Sequence, residues 1–380
     1  MEYQIYNDFK QIQPNLADFC NKLNKVNSSS KVGLMGYDGF IDTFIRFVNP
    51  SSMAEFGPKV TKAAGIATSA EVIRQGEKYG GNGPLMTVAL NKLFSGNITL
   101  NYVGALGYPN INNIFKEAFG NINMYSFDNP ATTDCFEFSD GKLLASDMSN
   151  CATVTWDNML NIIGEDALRK LVKSSHFTAA LNWSRIIHAT ELWTNMATMY
   201  AQEHAGQKML FYMDLAEIDI RSSEDRALLA PMFTNISNVC HSVISLNLKE
   251  AWQIADIYGG NFYDKREALN VAECANYIRK NSGIAEVIIH PNDGAAISRE
   301  NETVYVKGPY CQNPLISTGA GDHFGSGAMA AQLLDLDGFE SMLLGVCTSG
   351  YFVRTGVSPS FQQIVKMLEL WNQGLLGERL

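Results

Sequence analysis

Short apolar runs alternate with stretches of helical period along most of the chain. Val32–Met35, Leu100–Val103, Asn123–Phe127, Phe177–Leu181, Met209–Met213, Val243–Leu246 and Val287–Ile289 read as buried strands. Between them, Leu85–Phe94, Glu191–His204, Leu248–Tyr258 and Ala268–Lys280 carry apolar residues at helical spacing. Strand–helix–strand alternation over this length predicts an α/β fold, a doubly wound and mostly parallel sheet with helices on both faces. Two places break the rhythm. Phe44–Val48, and Cys135–Phe138 with Leu143–Ala145 around Asp140-Gly141, read as antiparallel strands with a hairpin turn. They predict a small β-element, drawn from about residues 43–60 and 130–150, standing off the main sheet near the ends of its strands.

The start of the chain has a different pattern. Ile12, Leu16, Phe19, Leu23 and Val26 recur at helical spacing until Asn27-Ser28-Ser29-Ser30 interrupts them. Residues 1–30 are therefore expected to form a helical extension packed on a body spanning 31–380. The same amphipathic face would also suit a partner.

Composition narrows the class. Of 380 residues, 46% are hydrophobic and only 18% charged, which excludes a disordered chain. Lys+Arg 29 against Asp+Glu 39 leaves a net charge of -10, which disfavours nucleic acid and anionic membrane as partners. The 7 cysteines are scattered without a CxxC pair, so free thiols are expected rather than disulfides or zinc. The start lacks an apolar leader segment and no long apolar span occurs, so a cytoplasmic location is expected.

Four clusters carry candidate chemistry. The most informative is Thr318-Gly319-Ala320-Gly321-Asp322, feeding a helix expected to begin near Gly321. A glycine-rich turn at a helix start offers unpaired N–H groups to an anion. A carboxylate inside that anion site is poor for mere binding but suits a base that deprotonates an attacking alcohol. The helix dipole is expected to keep it ionised. Asp322 can also serve simply as a helix cap. Neither a dinucleotide fingerprint nor a Walker loop fits the spacing.

Gly80-Gly81-Asn82-Gly83-Pro84 opens the expected helix Leu85–Phe94. Its backbone and the Asn82 amide can donate to a polyhydroxy ligand, or form only a loop. Asp38 and Asp42 follow the first strand, where α/β sheets bind ligands, although both also read as solvated turn residues. Asn247 and Glu250 after Val243–Leu246 suit a capping box, and the same pair could hold the waters of a Mg²⁺ ion.

In this order the clusters resemble the PfkB family, the ribokinase-like carbohydrate kinases, from about Lys31 to Met367. The late Gly345–Ser360 segment adds to the likeness. The resemblance implies ATP-dependent phosphorylation of a sugar hydroxyl, with Asp322 as base and Gly319, Ala320 and Gly321 as the anion hole. It places Asp42 or Asp38, with Gly81 and Asn82, on the sugar, and Asn247, Glu250, Thr318 and Asn292 beside the nucleotide. Mg²⁺ would be held by Asn247 and Glu250 through water. The β-element would be a lid, often a dimer contact in the family, and Asp214 would line the cleft. Three departures stand out. Ile316 replaces an Asp that commonly helps organise a monovalent-cation site, which puts potassium activation in doubt. Tyr108-Pro109 stands where an acidic residue is usual, and Ile289-His290-Pro291-Asn292-Asp293 replaces a Thr-x-Gly stretch. A nucleoside kinase of the same fold and a sugar-binding protein that has lost catalysis are the alternatives.

Overall fold

The computed structural model describes residues 3–380. Residues 1 and 2 of the expected extension lie outside it. In chain order the strands begin with β1 (Tyr3–Tyr6), β2 (Val32–Tyr37), β3 (Phe40–Asn49), β4 (Glu71–Gly80) and β5 (Thr99–Gly104). β6 (Asn123–Ser126), β7 (Ala131–Phe138), β8 (Gly141–Asp147), β9 (Phe177–Leu181) and β10 (Leu210–Asp214) follow. The last are β11 (His241–Leu246), β12 (Glu286–Ile289), β13 (Gly294–Ser298) and β14 (Thr303–Lys307).

Ten strands form the main sheet in the order β1-β14-β13-β12-β11-β10-β9-β2-β5-β6. β13 alone among them runs against its neighbours β12 and β14. The apolar runs of the interior strands have a simple cause: successive residues enter two separate cores. Met35 of β2 packs with the helices Phe9–Asn24, Asn82–Leu93 and Ala320–Leu333, while Leu34 packs on the other face with Ala189–Glu203 and Leu229–Val239. A strand covered on both faces is apolar at every position.

β1 and the helix after it tie the start of the chain to the body. The helix Phe9–Asn24 begins at Asp8, whose carboxylate accepts the Lys10 N–H, and it buries Ile12, Leu16, Phe19 and Leu23. Each such burial contributes roughly 1.5–3 kcal/mol before entropy is counted. β1 was not expected. It adds to the edge of the main sheet, pairing parallel with β14 from Tyr3↔Thr303 to Tyr6↔Val306.

The second sheet has the order β4-β3-β7-β8. The hairpin at Ser139-Asp140 joins β7 to β8 as the Asp140-Gly141 signal suggested. Three features differ from the expectation. β3 pairs antiparallel with β4 but parallel with β7. Residues Met53–Lys62 form a helix, with Phe56 beside Phe47 and Phe138. The remaining strand is β4, whose residues Glu71–Lys78 are exposed and so carry no buried pattern to read. Among the described residues no helix is long and apolar enough to cross a membrane.

Candidate active site

From β2 the chain winds outward through β5 and β6; from β9 it winds the other way through β10, β11 and β12. The order therefore reverses between β2 and β9, and such a reversal opens a crevice at the carboxyl ends of the strands. Asp38 follows β2 and Asn182 follows β9, and they meet across that point. Asn182 Nδ2 donates to Asp38 Oδ2 at 2.7 Å. The Gly83 N–H donates to Asp38 Oδ1 at 2.8 Å, and the Tyr102 hydroxyl donates to the Asp38 carbonyl at 2.6 Å. Gly83 has to be glycine for this approach, because a β-carbon would come within 2.5 Å of Asp38 Oδ1. Asp38 is buried, and burial pushes its carboxyl up to about 6 against these hydrogen bonds.

Asp322 stands at the third position of the helix Ala320–Leu333, which Gly319 caps. Gly319 has φ +86°, a left-handed conformation that favours glycine. The Ala320 N–H donates to the Ser317 carbonyl at 3.1 Å, which leaves the Gly321 amide without a carbonyl a turn below it. Asn82 Nδ2 donates to Asp322 Oδ1 at 2.9 Å. The helix of Asn82 begins at that residue, earlier than the expected Leu85, and its first turn thereby reaches Asp322. Burial, with the charges of Asp214 and Asp38, holds the Asp322 carboxyl well above the usual range, and only the Asn82 amide and the residue's own backbone oppose this. The expectation that the dipole keeps it ionised is thus countered by desolvation. Asp214 ends β10, accepts the Ala216 N–H at 3.0 Å, and is pushed up to about 6 by burial and by Asp38.

Asp42 is differently placed. It lies on β3, opposite Lys78 of β4 and Thr133 of β7, and is only partly buried. Its carboxylate lies against Gly80, where a β-carbon would meet Oδ2 at 2.5 Å. Burial raises it and the Thr133 hydroxyl opposes the rise. Gly81, with φ +98°, caps the Asn82–Leu93 helix beside Asp38. Asp38 is thus tied down by Gly83, Asn182 and Tyr102, and Asp42 is the freer carboxylate.

Asn247 and Glu250 form the capping box: Asn247 Oδ1 accepts the Glu250 N–H at 3.0 Å, and Glu250 Oε2 accepts the Asn247 N–H at 2.9 Å. Burial, then Asp214, holds Glu250 well above its usual range. Among the described residues no three His, Cys, Asp or Glu side chains are arranged to hold a metal directly. Thr318 is exposed just before the Gly319 cap, and Asn292 is exposed in the turn between β12 and β13. Neither side chain is hydrogen-bonded to Asp38, Asp214 or Asp322.

Two neighbours, Asn182 and His323, were not singled out from the sequence, and His290 appeared there only within a divergent segment. Asn182 had no motif around it; its φ of +65°, unusual for a non-glycine residue, appears only in the fold. His323 stacks on Phe352 with centroids 3.5 Å apart. Its Nδ1 lies 2.7 Å from the Gly319 carbonyl and its Nε2 lies 2.8 Å from Ser358 Oγ. A carbonyl only accepts, so Nδ1 carries the proton and Ser358 donates to Nε2. His290 stacks on Phe324 at 4.5 Å.

A buried carboxylate at a glycine-capped helix start, tied through Asn82 to the segment leaving the smaller sheet, fits a sugar kinase of ribokinase-like fold. Comparison with solved structures agrees on the fold. A carbohydrate kinase from Agrobacterium tumefaciens superposes with TM-score 0.63 at 16% identity, covering 90% of this chain and 97% of that one. Arabidopsis thaliana ribokinase complexed with ribose and ATP gives 0.63 at 14%, covering 90% and 99%. The model of the prokaryotic ketohexokinase family matches residues 15–371, and the chain belongs to that family. A ketohexokinase of Haloferax volcanii is 25% identical over 361 residues, 92% of this chain and 93% of its own. The protein is a PfkB-type, ATP-dependent carbohydrate kinase.

Proposed function

We propose that this kinase phosphorylates a ketohexose and that Asp322 is its base. A sugar hydroxyl attacks the γ-phosphorus in line and gives its proton to Asp322. The new O–P bond forms as the bond to the β,γ-bridging oxygen breaks, and ADP leaves with that electron pair. Amides of Gly319 and Gly321 offset charge on the transferred group, while that of Ala320, also expected in the anion hole, is spent on the Ser317 carbonyl at 3.1 Å. The observation that carries this reading is the Asn82–Asp322 hydrogen bond, which ties the loop leaving the lid to the carboxylate at the anion site. The Asn82 amide favours the ionised form, and burial makes that form a stronger proton acceptor.

Asp42, the freer carboxylate, takes paired sugar hydroxyls together with Gly81 and Asn82, while Asp38 holds the Gly83 turn in place. The nucleotide lies on the side of Asn247, Glu250, Thr318 and Asn292. Mg²⁺ bound with ATP would supply neutralisation of its phosphates. Glu250 and Asp214 fit such an ion, since after burial the Asp214 charge raises the Glu250 carboxyl by repulsion that a cation relieves. Both Glu250 oxygens are engaged by Asn247, so contact runs through water. The exposed Val72, Ile73, Leu143 and Leu144 of the lid suit pairing of two copies there.

The test is ADP release over a panel of ketohexoses, aldohexoses, pentoses and nucleosides. A ketohexose is expected to give the highest kcat/KM. A pentose or aldohexose in first place would remove the ketohexose assignment, and a nucleoside would replace it with a nucleoside kinase. Light scattering of the free protein tests the lid pairing: a monomer at micromolar concentration refutes it.

A further inference from the structure

Between β14 and the helix Ala320–Leu333 the chain runs through residues 308–319 without strand or helix, and this stretch delivers the Gly319 cap. It is fixed at three points. The Tyr310 carbonyl accepts Arg354 Nη2 at 2.8 Å, and the Leu315 N–H donates to the Val353 carbonyl at 2.7 Å. Asn313, between them, is held by a strap, residues 377–379. Glu378 Oε2 accepts the Asn313 N–H at 2.6 Å and the Cys311 thiol at 3.4 Å, and Arg379 Nη1 donates to the Asn313 carbonyl at 2.6 Å. Among the described residues, Cys311 and Asn313 find hydrogen-bond partners only in Glu378 and Arg379. The path of the strap is itself built. Past the helix Phe361–Asn372 the chain turns at Gly374, with φ +70°, and Leu376 packs against the core. The Gly377 carbonyl then accepts Arg354 Nε at 2.8 Å. Arg354 is buried in the helix Gly338–Thr355 and also donates to the Gly350 carbonyl at 2.9 Å, so one guanidinium joins that helix, the irregular stretch and the strap.

We propose that Glu378 is a positioning residue for phosphoryl transfer. By holding Asn313 it sets where the Gly319 and Gly321 amides meet the transferred group, an inference that rests on the anion-site reading above. An irregular stretch has no ladder of its own, and the entropy lost in ordering it must be offset by contacts from elsewhere. The Ala320 N–H is bonded back to the Ser317 carbonyl, so a displacement of residues 313–317 is passed to the first turn of the helix. Donors that meet a developing charge act only when they are held in place beforehand. The Asn313 N–H holds the exposed Glu378 carboxyl below its usual range, and an ionised acceptor makes the stronger hydrogen bond. Asp42, Gly81 and Asn82, proposed for the sugar, are held by the smaller sheet and the Asn82–Leu93 helix instead. Glu378 also stands beyond Met367, where the PfkB likeness ends, and beyond residue 371, the last that the ketohexokinase family model matches, so neither pattern assigns it a role.

Glu378→Ala removes the carboxylate, whereas Glu378→Gln keeps an oxygen that accepts the Asn313 N–H. Turnover of the best sugar of the panel with ATP is read beside calorimetric binding of ADP, in the presence of Mg²⁺ and that sugar. The titrations are run with and without aluminium fluoride, which mimics the phosphoryl group in flight. Glu378→Ala is expected to lower kcat and kcat/KM for ATP together by about tenfold, inside the roughly 100-fold that a misplacement of about 1 Å can cause. Sugar KM and the affinity for ADP alone should hold within about twofold, while the tightening that aluminium fluoride gives ADP should shrink by about tenfold. Glu378→Gln should recover most of both losses. A strap that served stability alone would lower the melting temperature and leave these quantities at their wild-type values. That result, or a Glu378→Gln enzyme as slow as Glu378→Ala, would overturn the proposal. Should Glu378→Ala not fold, Arg379→Ala gives up the bond to the Asn313 carbonyl from an exposed side chain and should show the same pattern at about threefold; wild-type values there would overturn it equally. If aluminium fluoride does not tighten ADP on the wild-type protein, the anion-site reading fails; if it does and Glu378→Ala keeps the whole gain, only the role of Glu378 fails.

Discussion

The helix Ala320–Leu333 and the lid sheet meet at Asn82, and they are built in opposite ways. Every residue from Asp322 to Ala331 is buried, whereas Glu71 to Lys78 of β4 are all exposed. The helix start is held by the main sheet, the Asn82–Leu93 helix and the stacked histidines. The lid is held mainly by its own ladder and by the Phe47, Phe56 and Phe138 cluster on one face. Charge that develops in a transition state is best met by groups that cannot relax, in a place where water does not screen them. Sugar entry and release need an element that can move without disturbing a core. Rate is therefore expected to depend on the buried side, and sugar affinity on the lid side.

The strongest way to break this division is Asp322→Asn. It keeps size and hydrogen bonding but removes proton acceptance, so kcat should fall by about 10²–10⁴. Nucleotide binding should hold or tighten, since a negative charge beside the phosphates has gone. Coupled turnover and calorimetric ATP titration of the folded variant measure both, and a near-normal kcat would take Asp322 out of the mechanism.

On the lid side, Asp42→Ala should raise the sugar KM by roughly 10- to 100-fold, the equivalent of about 1.5–3 kcal/mol for a charged hydrogen bond, with ATP KM unchanged. Asp38→Ala should act differently, by lowering the melting temperature, because it strands the Gly83 N–H and the Asn182 amide in a buried place. If Asp38→Ala leaves stability alone and raises only the sugar KM, the two carboxylates have been assigned in the wrong order.

A smaller effect sharpens the comparison at the residue where the two regions join. The Asn82 amide favours ionised Asp322, so Asn82→Ala should push that carboxyl further up. Free-enzyme groups shape the pH dependence of kcat/KM. A base works only when unprotonated, so activity is lost as pH falls through its pKa. The acid limb should therefore lie above the ordinary carboxylate range in wild type and move to higher pH in the variant. A limb that stays put would mean that Asp322 does not titrate in the measured step.

The smallest effect concerns Ile316, whose side chain supplies no oxygen where the family commonly has a carboxylate. Turnover in potassium and in tetramethylammonium at equal ionic strength should be similar. A stimulation of about tenfold or more, some 1.4 kcal/mol, would show that other groups complete a cation site.

Much of the fold is legible in the pattern of the chain. β9 coincides with the apolar run Phe177–Leu181, and β2, β5, β10, β11 and β12 each contain or overlap the run that marked them. The strands that were not legible share a physical reason. β4 faces solvent along most of its length, β1 becomes a strand by pairing with β14 and β14 by pairing with β1 and β13, and β13 is built of small and polar residues with a single Ile, so it offers no apolar run. The site divides in the same manner. Gly319–Asp322, Gly80–Asn82 and the Asn247–Glu250 capping box are local signals and appear where local chemistry places them. Asn182 and His323 carry no local signal, because each bonds a residue whose position only the fold sets.

The sequence by itself determined the parallel interior strands, the glycine-capped helix with its carboxylate and the presence of a separate β-element, because these follow from neighbours a few residues away. Only the tertiary structure decided which of Asp38 and Asp42 remains free, and that the Asp322 carboxyl is pushed up rather than held ionised by its helix. Those outcomes depend on partners remote in the chain: Asn182 lies 144 positions from Asp38, and Asp322 lies 240 positions from Asn82. Burial and hydrogen-bond partners set a carboxylate's protonation and availability, and neither exists until the sheet has closed around it.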